Sequence, residues 1–233
     1  MSVRTPFRTI AISVLSLFAG LLISAPASAD LCASTTNCSL TFTQGNNGSG
    51  FGSGNFGTLT LTRAGNTVNV SISLASGFFL IGTGFPGSVG FSDSLGGGLT
   101  IGAFSNANYS GATSDATSDL HFDGFGFFNN AAATTAPSPG SASAVSSVSF
   151  NVFGSSLTDV EQLLNLANPA GGDGQAYFVA DVINRNTSGP GAGLTGLIAV
   201  TGGGGGDLPE PQTLALIALG LFGVAFARRS VSV

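Results

Sequence analysis

Thr58-Leu59-Thr60-Leu61-Thr62-Arg63-Ala64-Gly65-Asn66-Thr67-Val68-Asn69-Val70-Ser71-Ile72-Ser73-Leu74 is the stretch on which the fold turns. Polar and apolar residues alternate on both sides of Arg63-Ala64-Gly65-Asn66, which has the composition of a turn. Leu59 and Leu61 on one arm and Val68, Val70, Ile72 and Leu74 on the other then share one face. Their Thr, Asn and Ser neighbours face water, as an antiparallel sheet allows. The segment is a β-hairpin with one apolar side, and it needs a second layer to cover that side.

Short strand patterns continue in both directions. Upstream, residues 39–43 alternate with Leu40 and Phe42 together, followed by a Gly/Asn/Ser loop over 45–57 that carries Phe51 and Phe56. Downstream, residues 78–81, 89–91, 99–104 and 120–128 are candidate strands separated by glycine. Residues 129–143 are rich in Ala, Thr, Ser and Pro and are expected to form a long loop. Residues 145–153 alternate again, with Val148, Phe150 and Val152 on one face. Residues 176–183 and 194–201 are the last two strands, expected to be neighbours across the 184–193 loop.

One short helix is expected, capped by Ser156, with Asp159 three residues on and Val160, Leu163, Leu164 and Ala167 as its apolar face. Many short strands, 36 glycines and one helix specify an all-β antiparallel sandwich, with a jelly-roll-like arrangement as one form open to it.

The two ends of the chain differ from this body. Arg4 and Arg8 precede an apolar stretch over residues 10–23, and Ala27-Ser28-Ala29 is an A-x-A cleavage site, which together read as a secretory signal peptide. At the other end stands Leu208-Pro209-Glu210-Pro211-Gln212-Thr213, then an uncharged run from Leu214 to Ala227, then Arg228 and Arg229. The uncharged run would make roughly 21 Å of helix, against a hydrocarbon core of roughly 30 Å. Pro209 and Pro211 resist helix continuation, which leaves Pro-Glu-Pro extended at the membrane surface. Arg228 and Arg229 hold the C-terminus on the cytoplasmic side and so place the body outside.

A Pro-Glu-Pro signal, a thin hydrophobic helix and a basic stop, in that order, resemble the PEP-CTERM sorting tail of Gram-negative bacteria. The resemblance covers about a ninth of the chain. It implies recognition by an exosortase, a membrane transpeptidase that cuts near Pro209-Glu210-Pro211. Delivery to the cell surface or extracellular matrix follows from it. Leu208 stands where the family often has Val, and the basic end holds only two arginines. The expected organisation is a signal peptide over 1–29, a β-rich body over 30–201, a glycine-rich linker over 202–207 and the sorting tail over 208–233.

Without Arg4, Arg8, Arg228, Arg229 and Glu210, the net charge of −5 becomes −8. Arg63 and Arg185 are then the only cations. Such a body repels nucleic acid and anionic lipid. Cys32 and Cys38, exported to an oxidising compartment, are expected to form a disulfide. A metal pair would need more ligands than a single histidine adds, and a nucleophilic thiol would need a neighbouring base.

No catalytic or metal-ligating set emerges. Gly82-Thr83-Gly84-Phe85-Pro86-Gly87 fits G-x-G-x-x-G, but Pro86 and a strand pattern follow where a dinucleotide site needs a helix. His121, the one histidine, has no G-x-S-x-G serine to serve and reads as a hydrogen-bonded strand residue. Asp115, Asp119 and Asp123 lie four apart, too widely for an EF-hand loop. Gly171-Gly172-Asp173-Gly174-Gln175 begins like a Ca²⁺-binding repeat, yet Ala176 replaces its aspartate. Asp159 and Glu161 are the nearest candidates for the paired carboxylates of a glycosidase. The expected function is therefore non-enzymatic: an exported structural or adhesive protein of an exopolysaccharide or biofilm layer, without cofactor. Its partners would be exosortase, signal peptidase, the membrane in passing, and exopolysaccharide. The alternative is a Ca²⁺- or glycan-binding module on the same tail.

Overall fold

The structure is a computed structural model, and it describes residues 31–83, 87–113, 120–134, 144–167 and 172–201. The signal peptide, the linker and the sorting tail lie outside the described residues, as do Asp115, Asp119 and residues 84–86. Among the described residues, no helix is long and apolar enough to cross a membrane.

The described chain is almost wholly antiparallel β. Its strands are β1 (Asn37–Gly45), β2 (Ser53–Ala64), β3 (Thr67–Leu74), β4 (Phe78–Leu80), β5 (Val89–Phe91), β6 (Thr100–Gly102) and β7 (Tyr109–Thr113). They continue as β8 (Leu120–Phe122), β9 (Gly126–Phe128), β10 (Asn130–Thr134), β11 (Ser147–Phe153), β12 (Phe178–Asn184) and β13 (Thr195–Val200). Ten of them pair in the order β6-β11-β3-β2-β1-β13-β12-β5-β10-β7, with β4 on the free end of β12 and β8–β9 as a separate hairpin. The sheet is nearly closed: a Cβ on Gly111 of β7 would fall 2.5 Å from the Ile101 carbonyl oxygen of β6, at the opposite end of the strand order.

The alternating pattern of residues 58–74 becomes the β2–β3 pair, joined by the two-residue turn Gly65-Asn66 with Ala64 opposite Thr67. Leu59, Ile72 and Val148 meet in register across β2, β3 and β11, as do Leu61, Val70 and Phe150. These side chains are 0–2% exposed. The interior is filled from the other side of the roll. Phe91 of β5 stacks on Phe178 of β12 with ring centres 5.0 Å apart and planes 6° from parallel. Phe91 also comes within 6.1 Å of the Phe150 ring. β5 and β11 are far apart in the strand order, so this contact packs two layers face to face, the arrangement the sequence pattern requires. On the outer face the same registers align polar residues: Asn37, Thr62, Asn69 and Asn151 form one row. Ser39, Thr60, Ser71 and Ser149 form the next.

A second, smaller core lies outside the roll. β12 and β13 are buried on both faces and, Asp181 and Asn184 apart, β12 is apolar on both. Phe178, Ala180 and Val182 point into the main core, whereas Val179, Leu197 and Ala199 cluster with Leu120, Phe122 and Phe128 of the β8–β9 hairpin. The hairpin fits because position 90 is glycine: a Cβ there would lie 2.4 Å from the Phe122 ring.

Four expectations change. Residues 120–128 are not one strand but the β8–β9 hairpin, turned at residues 123–125. Residues 130–134, expected in a loop, are β10, flanked by β5 and β7. The rest of that segment to 143 is outside the described residues. β7 carries little periodic signal and lies outside the stretches whose sequence pattern predicts a strand.

The helix is a single 3-10 turn, Val160–Leu163, capped by Asp159 and not by Ser156. Asp159 Oδ1 accepts the Glu161 N–H at 2.9 Å, and Gln162 Oε1 accepts the Asp159 N–H at 2.9 Å. The turn stops because Asn165 pairs instead with the Ser92 backbone, donating its N–H at 3.1 Å. The apolar residues assigned to the helix face are nonetheless buried: Val160, Leu163, Leu164 and Ala167 are at most 6% exposed.

Candidate functional site

A concave feature of the described body is a cleft of about 280 Å³ beside the second core. β12 and β13 form its floor through Asp181, Thr195, Gly196 and Leu197. The β8–β9 hairpin forms one wall through His121, Phe122 and Asp123, and Asn46 and Thr83 close it.

Asp181 is its central residue. It is the one charged residue in the run Phe178–Asn184, and only 4% of it is exposed. Its backbone marks a change of partner along β12: the N–H donates to Ser88 O at 2.7 Å and the carbonyl accepts from Ile81 N–H at 2.9 Å. The chain therefore leaves the sheet after Ile81, and Thr83 folds over the carboxylate. Thr83 donates its N–H and its hydroxyl to Asp181 Oδ2 at 2.7 and 2.5 Å. Burial favours the neutral acid, and these bonds only partly oppose it, so the pKa is raised to about 6. Asp181 therefore passes between acid and carboxylate in mildly acidic solution, changing from donor to acceptor at the floor of the cleft.

His121 projects from β8 with its side chain 43% exposed, its Nδ1 3.3 Å from Asp123 Oδ1. Its ring centre is 4.5 Å from that of Phe127. Asn46 is bound on both sides of Leu197: its N–H donates to Leu197 O and its Oδ1 accepts the Leu197 N–H, each at 3.0 Å. The cleft is thus a small, polar-floored recess with one buried carboxyl, Asp181, at its floor and the exposed Asp123 on its wall.

The other residues singled out in the sequence are distributed around the body. Cys32 and Cys38 form a disulfide, with Cα atoms 5.0 Å apart. The Cys32 N–H donates to Glu161 Oε1 at 2.8 Å, which ties the start of the body to the 3-10 turn. Asp159 and Glu161, the candidate carboxylate pair, are thereby engaged in a cap and a strap. Asp173 accepts from the Asn47 N–H at 3.0 Å and from the Asn47 side-chain amide, and its own N–H donates to Gly124 O at 3.0 Å. It braces two turns against each other. Among the described residues, no group of three or more His, Cys, Asp or Glu side chains converges as a metal site would. Ala27, Ala29, Pro209, Glu210, Pro211, Arg228 and Arg229 lie outside the described residues. Asp181 was not singled out in the sequence, although a lone acid inside an apolar strand is the signal that marks it.

Comparison with curated proteins and with solved structures returns no match to this chain. A family model described as the PEP-CTERM protein-sorting motif matches residues 207–229. These residues include Pro209-Glu210-Pro211, the apolar run and both arginines. The chain carries a PEP-CTERM sorting signal: it is an exported protein, processed by exosortase and anchored in the membrane only in transit.

Proposed function

We propose that this chain is a non-enzymatic component of the extracellular layer, a β-body delivered to the cell surface or matrix and structural or adhesive within exopolysaccharide. The observation that carries this reading is the sorting motif at residues 207–229. In it, signal peptidase cuts after Ala29, the exosortase reads Pro209-Glu210-Pro211, and Arg228 and Arg229 hold the tail until release. In this reading the glycine-rich linker over 202–207 separates the body from the membrane tail. Supporting a non-catalytic role, Asp159, Glu161 and Asp173 are each occupied in bracing loops. Asp93 is similarly engaged by the Leu95 N–H and the Asn130 amide, each at 2.7 Å. The alternative of a Ca²⁺- or glycan-binding module gains on its glycan side from the uncharged outer face of β1, β2, β3 and β11.

Fractionating cells that produce the full chain or a chain ending at Asp207 tests the reading. The full chain is expected in the surface and matrix fractions, and the truncated one in the periplasm or medium. Identical distributions would end it.

A further inference from the structure

The outer face of β1, β2, β3 and β11 is a regular array. To the two rows described above the registers add a third, Thr41, Thr58, Ser73 and Ser147. Every one of these twelve side chains is Ser, Thr or Asn, and all are half-buried or exposed. Neighbouring strands lie about 4.8 Å apart, and residues on one face recur about every 6.6 Å along a strand. The result is a grid of hydroxyl and amide groups with no ionisable member. The grid carries no Lys, Arg, Asp or Glu, in keeping with a body that has only Arg63 and Arg185 as cations. At its end, in register with Thr67 and Thr100, sits Phe153. That ring is 51% exposed and lies on the same face as Asn151 and Ser149.

We infer that this face is a docking surface for a neutral polysaccharide chain. The inference rests on the proposed matrix role and names the contact through which it is exercised. Ser and Thr hydroxyls and Asn amides each both donate and accept, which matches sugar hydroxyls that do the same. A polyanionic chain would require Arg or Lys on the grid, and the face has none in a body of net negative charge. The exposed Phe153 ring supplies an apolar platform for the face of a sugar ring. Multiple weak bonds in a fixed spacing favour a polymer over a free monosaccharide, because one chain engages several rows at once.

The test uses the exported protein as the cell processes it, with microcrystalline cellulose and dextran as neutral probes and alginate as the anionic one. Native protein is expected to bind at least one neutral polymer and to bind alginate more weakly. Thr60→Ala with Ser71→Ala removes two central hydroxyls and is expected to weaken that binding about tenfold. Phe153→Ala is expected to act in the same direction. Thr187→Ala with Ser188→Ala, in the exposed 185–193 loop, is the matched control and should bind as native does. Urea midpoints of all variants report whether each is folded, and should a grid pair fail, Ser147→Ala with Thr41→Ala replaces it.

Native protein held by no neutral polymer, grid variants that bind like native, or preference for alginate would each overturn the inference. Cell fractionation run in parallel separates the two readings. Grid variants that bind like native while the native chain stays in the matrix fraction remove the face and leave the matrix role. A native chain that escapes freely to the medium removes the matrix role, and the polymer assay then judges the face by itself.

Discussion

Replacing Asp181 by Asn should change how stability depends on pH, and the sign is fixed by the burial of that carboxyl. The folded pKa of about 6 stands above the ordinary aspartate value of 3.8. The folded protein therefore holds this proton more tightly than the unfolded chain does. The stability that proton confers is complete below about pH 3.8 and is lost as pH rises through about 6. The difference of about two units corresponds to about 3 kcal/mol in full. Between pH 4 and pH 7 the change is between about 2 and 3 kcal/mol, because the unfolded carboxyl is already partly ionised at pH 4. Asn cannot ionise, and its side-chain oxygen can accept both Thr83 bonds, which fall on a single oxygen of Asp181. Urea unfolding of both proteins at pH 4 and pH 7, with the disulfide intact, isolates the effect, since other titrating groups cancel in the comparison. The variant should gain on the native protein by that amount at pH 7. Parallel pH profiles for the two would refute the buried, desolvated carboxyl.

Three further outcomes follow from the packing and the tail. Gly90→Ala pushes a methyl into the Phe122 ring and should destabilise the body by about 1–3 kcal/mol in urea; adding Phe122→Leu should recover part of that loss. Cys32→Ser with Cys38→Ser opens a loop with a sequence separation of 6 and should lower stability by about 2 kcal/mol, read as a shifted midpoint with an unchanged far-UV spectrum. Pro209→Ala with Glu210→Ala and Pro211→Ala should leave an uncut chain in the membrane fraction, visible as a heavier band on a denaturing gel, while the body keeps its native urea midpoint.

How much the sequence disclosed depended on the size of the side chains. The β2–β3 pair and β11 were legible because Leu, Val, Ile and Phe recur there with period two. β12 and β13 were legible as apolar runs joined by a glycine-rich loop, since strands buried on both faces lose the alternation but keep the hydrophobicity. β10 was not, because Ala131 and Ala132 are small enough to lie between neighbouring strands and beneath the hairpin and give no periodic signal. Residues 160–167 carry a helical pattern that serves burial but not a helix, since the Asn165 pairing to Ser92 supersedes the local preference. The cleft was hidden for a different reason. Asp181, Thr83, His121 and Asn46 come from four separate segments that only the crossing of the sheet brings together.

The intact mass of the protein recovered from outside the cell tests the central claim most directly. Export and exosortase processing predict a mature chain lacking residues 1–29 at one end and Arg228 and Arg229 at the other, cut near Pro209-Glu210-Pro211. A secreted chain that still ends in those arginines, or the whole protein found soluble in the cytosol, would contradict it.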